Sequence, residues 1–184
     1  MKQKLFRLIP LFMFLVFVGV VLVFSYSFTS SLGSANRVGP DYLYPPIGFG
    51  ELNPNVTQKN VDTTICKSGW TATIRPPVSY TNALKNKLLT SGKPSDFELD
   101  HYVSLELGGS PTSTNNLWME AYETPIGIGA RQKDTIESEL KRRVCLGSLS
   151  LKDAQNIIMT DWYAEFLKKN GKLGSNVVES DTDD

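Results

Sequence analysis

The 184-residue chain holds a single histidine and only two cysteines. One histidine excludes a zinc site built on several imidazoles. Two cysteines exclude both Cys-rich zinc modules and disulfide-dense scaffolds. Net charge is also absent, with 19 Lys and Arg balancing 19 Asp and Glu. A generic nucleic-acid binder carries a basic excess, so nucleic-acid contact in this chain has to be local. The two ends hide nothing larger. Lys2, Lys4 and Arg7 near the start are offset by Glu179, Asp181, Asp183 and Asp184 at the end. With 41% hydrophobic and 21% charged residues, the chain is neither disordered nor collagen-like.

What the chain does have is one long apolar run. Residues 8–28 carry no charge, and as a helix they would extend about 31 Å, enough to cross a bilayer core. The basic residues precede the run, so the positive-inside rule puts the N-terminus in the cytoplasm and the remainder outside. Two readings fit: an uncleaved signal anchor, or a signal peptide cut near Gly33-Ser34-Ala35. Either predicts an extracytoplasmic domain, membrane-anchored in the first case and secreted in the second. An exported chain with two cysteines is expected to pair them, here Cys66 with Cys145; the alternative is two buried free thiols.

Composition divides the rest. Residues 29–60, rich in Ser, Gly, Pro and Asn, read as a linker, and Asn55-Val56-Thr57 is a glycosylation sequon. A folded domain is expected over 61–172, followed by a disordered acidic tail over 173–184. Within the domain, Thr71 to Ile74 has strand composition, stopped by Pro76-Pro77. Ser79 to Leu89 reads as a helix capped by Ser79 or Thr81, burying Ala83, Leu84, Leu88 and Leu89. Phe97 to Leu107 suggests one or two strands, Gly108 to Pro111 a turn, and Asn116-Leu117-Trp118 a return to order. Ile136, Leu140 and Val144 repeat at helical spacing in a helix from Ala130 to Val144. Ser150 with Asp153 opens a last helix through about Lys169, with Leu151, Ala154, Ile158, Trp162 and Phe166 on one stripe. Trp118 and Trp162 read as core. Lys141, Arg142 and Arg143 sit at a helix C-terminus, where cations suit the dipole; the competing reading is a nucleic-acid patch. Glu98 and Glu106 read as solvated strand-face charges.

The chemistry concentrates in Glu98-Leu99-Asp100-His101, Leu107-Gly108-Gly109, Asn115-Asn116-Leu117-Trp118 and the helix carrying Lys133, Asp134 and Glu137. Asp100 is a hard oxygen ligand suited to Mg²⁺. His101 titrates near neutrality and can take a proton from water. An Asn carbonyl can orient an imidazole or complete a metal shell. Neighbours on a strand point to opposite faces, so Asp100 and His101 reach one ion only if the strand bends or ends there.

The order Asp100-His101, Gly108-Gly109, Asn116-Leu117 resembles the His-Asn-His (HNH) nucleases of the ββα-metal fold, over roughly a quarter of the chain from Phe97 to Cys145. Wider segments around Cys66 and Cys145 look like small exported bacterial proteins built on the same core. The resemblance implies an α+β fold: a small ββα-metal core with flanking helices, behind an N-terminal transmembrane helix. It also implies a divalent metal cofactor, Mg²⁺ with Mn²⁺ or Zn²⁺ as alternatives. In that reading Asp100 is a metal ligand, His101 the general base, and Asn116 its orienting partner or a support to the metal. The chain departs from the pattern on the helix, where no His is available. Asp134 or Glu137 would have to complete the shell, while Lys133 and Arg75 could hold a phosphate. The Cys-x-x-Cys zinc knuckle of many such proteins is missing too, and a disulfide would take its place.

The function expected is a metal-dependent phosphodiesterase, a membrane-anchored or exported nuclease touching nucleic acid locally. The alternative is a catalytically inactive exported domain with a binding or envelope-structural role. A third reading is a module that binds anionic polymers through Arg75 and the 141–143 cluster.

Overall fold

The computed structural model describes residues 37–172. The expected membrane segment and acidic tail lie outside that range. Among the described residues no helix is long and apolar enough to cross a membrane. The architecture is α+β. Two strands, β1 (Phe97–His101) and β2 (Leu117–Ala121), pair antiparallel with His101 opposite Leu117 and Asp100 opposite Trp118. Among the described residues four α-helices accompany them: α1 (Trp70–Ile74), α2 (Val78–Leu88), α3 (Ala130–Cys145) and α4 (Leu151–Lys169).

The core is the seam between α3 and α4. Ile136, Leu140 and Val144 of α3 meet Leu151, Ala154, Ile158 and Trp162 of α4, all buried. Each fully buried aliphatic side chain contributes about 1.5–3 kcal/mol, so these two stripes hold the unit together. The last helix begins as its sequence indicates, with the Ser150 hydroxyl accepting from the Asp153 amide. It kinks at Asp161, whose backbone leaves the helical region at φ −158°. The Asp161 carboxylate accepts from the Ala164 amide at 3.0 Å, capping the second part of the helix from within.

That same carboxylate accepts from the Tyr44 hydroxyl at 2.5 Å, which corrects the reading of residues 37–60 as a linker. Leu43, Tyr44 and Val56 are buried members of the core. Trp162 donates its indole N–H to the Leu43 carbonyl, and the Gln58 side chain accepts from the Leu151 amide. The segment has the Pro and Asn content of a linker because it lacks regular structure. Its few large apolar side chains nevertheless anchor it across α4. The folded unit therefore includes residues from Arg37 onward, not only those from Val61.

Two smaller corrections concern local structure. Thr71 to Ile74 is helical, not extended; tertiary context overrides weak strand propensity in so short a run. Helix α2 is capped at Pro77 without any side-chain cap, and none of its residues is fully buried. Ala83 is exposed, while Leu84 and Leu88 are half-buried. This helix is fastened instead by Lys85, whose ammonium donates to the Phe97 carbonyl at 2.6 Å.

Cys66 and Cys145 form a disulfide across 79 residues of sequence. It ties the loop after Val61 to the C-terminal end of α3. Closing so long a loop restricts the unfolded chain, and replacing both cysteines by serine should lower stability by about 2–4 kcal/mol. Denaturant unfolding of the double variant beside the parent measures this. Equal midpoints would show the bridge to be energetically idle.

Candidate functional site

Alternation along the strands decides which side chains meet α3. Glu98 and Asp100 project from the same face of β1, and in this register Trp118 and Glu120 project from that face of β2. Helix α3 crosses that face. Its Lys133 is fully buried and reaches back into the sheet. The Lys133 ammonium donates to Asp100 Oδ2 at 2.5 Å, to Glu137 Oε1 at 2.6 Å and to the His101 carbonyl at 3.1 Å. Glu120 Oε2 lies 3.4 Å from the same nitrogen. Burial alone would lower the Lys133 pKa. The Asp100, Glu120 and Glu137 carboxylates outweigh it and hold the group well above the ordinary lysine value. Lys133 is thus an internal cation, and not the exposed phosphate holder that its position in the sequence suggested.

The surrounding acids respond differently. Burial works against the Asp100 carboxylate, but the Lys133 ammonium prevails and keeps its pKa below the usual value. Burial pushes Glu137 up to about 8 despite the same ammonium. Glu120, 2% exposed, is raised well above the usual glutamate value, first by burial and then by the nearby Asp100 carboxylate. One cation cannot keep three buried carboxylates charged at once.

On the outer side of this cluster lies a cleft of about 340 Å³. It is lined by Asp100, His101, Asp134 and Glu137, together with Glu98, Glu106 and Arg75. Asp134 and Glu137 share a helical face, as their spacing indicates. Glu98 and Glu106 belong to the cleft wall, contrary to their reading as solvated charges. Burial raises Glu98 and Asp134 above their ordinary values, with the Asp100 carboxylate adding to both. The Arg75 guanidinium, exposed at the rim, makes no hydrogen bond or ion pair among the described residues.

His101 ends β1 and is 6% exposed. Its Nε2 lies 2.9 Å from the Pro111 carbonyl. A carbonyl only accepts, so Nε2 carries the proton and Nδ1 keeps its lone pair. Burial lowers the imidazole pKa, opposed by the Pro111 hydrogen bond and the Asp100 carboxylate. The ring is therefore mainly neutral at pH 7 and able to take a proton.

Asn116 does not touch the imidazole or the carboxylates. Its Oδ1 accepts from the Val103 amide, and its Nδ2 donates to the Val103 and Ser110 carbonyls, all within 3.0 Å. All three of its contacts are backbone groups of the loop that follows His101. The group that touches the imidazole directly is the Pro111 carbonyl, one residue beyond the Ser110 that Asn116 holds. Gly108, with φ 78°, takes the left-handed turn that loop needs. Gly109 lies so close to the Val103 carbonyl and the Asn116 amide that no side chain fits.

The basic cluster after the cleft is internally paired. Lys141 binds Glu106, Arg142 binds Glu139 and Arg143 binds Glu165, so each cation of the cluster has a carboxylate beside it that an anionic polymer would have to displace. Glu120 is the functional residue that reading the sequence missed. Its signal was present: two positions beyond Trp118 on a strand, it falls on the face that carries Asp100. Among the described residues no three His, Cys, Asp or Glu side chains form a group that could hold a metal, and the point where three carboxylates converge is filled by the Lys133 nitrogen. Comparison with protein-family models, with characterised proteins and with solved structures finds no match to this chain.

Asn116→Ala should leave three loop groups without partners and lower stability by about 3 kcal/mol, read by urea unfolding. Unchanged stability with lost activity would return Asn116 to a catalytic role.

Proposed function

We propose that this chain is a metal-dependent phosphodiesterase with an HNH-like ββα-metal core, acting as an exported or membrane-anchored nuclease. One observation carries the reading. His101 has Nε2 committed to the Pro111 carbonyl and Nδ1 unprotonated, in a cleft shared with Asp100 and Glu137. That is the state a general base needs before it takes a proton from water. The two strands followed by α3 have the order the resemblance implies. The disulfide supports an oxidising compartment, in keeping with the apolar run at the N-terminus.

The donor set suits a particular class of cation. Asp100 and Glu137 each give Lys133 one oxygen in a hydrogen bond, leaving the other available on the cleft side. Mg²⁺ or Mn²⁺, which bind through one or two carboxylates and keep several waters, fit this set. Zn²⁺, which takes three or four protein ligands, fits it poorly. Asp134 would supply a further carboxylate to a bound water. When bound, the ion supplies stabilisation of the charge that develops on the scissile phosphate and its leaving oxygen. Arg75, an unpaired guanidinium at the rim, would draw a phosphate into a cleft whose walls are otherwise acidic. Nucleic-acid contact is local in this reading and depends on that one cation.

A second reading has an observation of its own. Asp100 and Glu137 are already paired with an ammonium, as suits a domain that retains the fold for binding or envelope structure without cleaving anything. Plasmid degradation by the full-length protein with Mg²⁺, Mn²⁺ or Zn²⁺ separates the two. Cleavage is expected with Mg²⁺ or Mn²⁺, and His101→Ala should reduce it by about 10²–10⁴-fold with the fold intact. No cleavage under any of the three ions, or cleavage indifferent to His101, would favour the binding domain.

A further inference from the structure

We infer that Lys133 is the resident cation of a buried three-carboxylate centre, doing there what a structural divalent ion does in other proteins. Three elements meet at the centre: Asp100 from β1, Glu120 from β2, and Glu137 from α3, the helix that also carries Lys133. An ammonium has three donors. Lys133 spends them on Asp100, Glu137 and the His101 carbonyl. Nothing is left for Glu120. Its Oε2 is buried, lies 3.4 Å from the nitrogen and has no hydrogen-bond partner. The centre therefore presents three acids to a single positive charge, which cannot keep all three ionised. That imbalance is what a divalent cation resolves, by carrying a second charge and accepting more than three oxygen ligands.

The arrangement has consequences that do not depend on what the cleft does chemically. The β1–β2–α3 junction is locked by a side chain, so its folding needs no metal. An added ion is confined to the outer oxygens of Asp100 and Glu137, because the inner point is taken. Glu120 lies behind the ammonium and does not line the cleft. It belongs to the lock and not to the substrate side.

Lys133→Met tests this, since methionine is unbranched, similar in length and uncharged. Mn²⁺ binding to the full-length chain is followed by electron paramagnetic resonance, and folding by circular dichroism. The variant should hold one more Mn²⁺ per chain than the parent, at least tenfold tighter than any ion the parent binds. Adding Glu120→Gln, which removes the third carboxylate, should weaken the gained site at least tenfold. If Lys133→Met unfolds alone, Mn²⁺ should restore its native spectrum. A folded variant with no added ion would overturn the inference. So would one that stays unfolded with and without Mn²⁺, or a gained site indifferent to Glu120→Gln. These readouts are binding and folding, so a failed nuclease assay leaves this result unaffected.

Discussion

Taking an ammonium out of water costs several kcal/mol unless oxygen ligands replace the lost hydration, and Lys133 is fully buried. Its position is therefore tolerable only if Asp100, Glu137 and the His101 carbonyl stay where they are. The converse holds as well, because none of the three could keep its place without the charge between them. Among the described residues the strand pair and α3 share no other buried ion pair. The lateral position of β1 and β2 on α3, and with it the cleft wall, depends on this contact. The apolar seam between α3 and α4 supplies most of the burial. It also takes in Tyr102, Val103 and Leu107 just after β1, so the strand is placed by apolar packing at its end and by the ammonium along its face.

The loop after β1 extends that frame. His101 is held at its backbone carbonyl by Lys133 and at its ring by Pro111, so the imidazole is constrained from two sides. Pro111 is in turn set by the turn at Gly108-Gly109, and that turn by Asn116 at the head of β2. A buried asparagine with three backbone bonds is a positional device. It converts the antiparallel register of two five-residue strands into a defined tautomer of one imidazole. The disulfide closes the far end of α3, away from the cleft, and leaves this network untouched.

Regular, strongly patterned elements were legible in the sequence. Both long helices follow from their apolar spacing and, in α4, from the Ser150 cap. The disulfide follows from compartment and count, and the Asp-His and Asn-Leu pairs fall at the end of one strand and the head of the next. Three features were not legible, each for a physical reason. Residues 37–60 have the composition of a linker, yet fold onto α4 through a few large side chains, which composition averages away. Thr71 to Ile74 is too short for propensity to outweigh its neighbours. Lys133 read as a possible phosphate holder because two of its three acidic partners, Asp100 and Glu120, lie on strands far from it in sequence, and only the tertiary fold brings them together. Which groups Asn116 would bind was not legible either: an amide serves a ring, a metal or a backbone equally well, and sequence does not say which.

The measurement that bears most directly on this account is the ¹⁵Nζ titration of Lys133 by nuclear magnetic resonance. If the carboxylate centre holds the charge, the Lys133 signal should remain that of an ammonium, protected from solvent exchange, beyond about pH 10.4, the ordinary lysine value. The Asp100, Glu120 and Glu137 carboxylates set the direction of that shift. A signal that becomes a neutral amine near pH 7 would mean that burial wins over the carboxylates. Lys133 would then be no counter-ion, and the cleft would have some other organising contact.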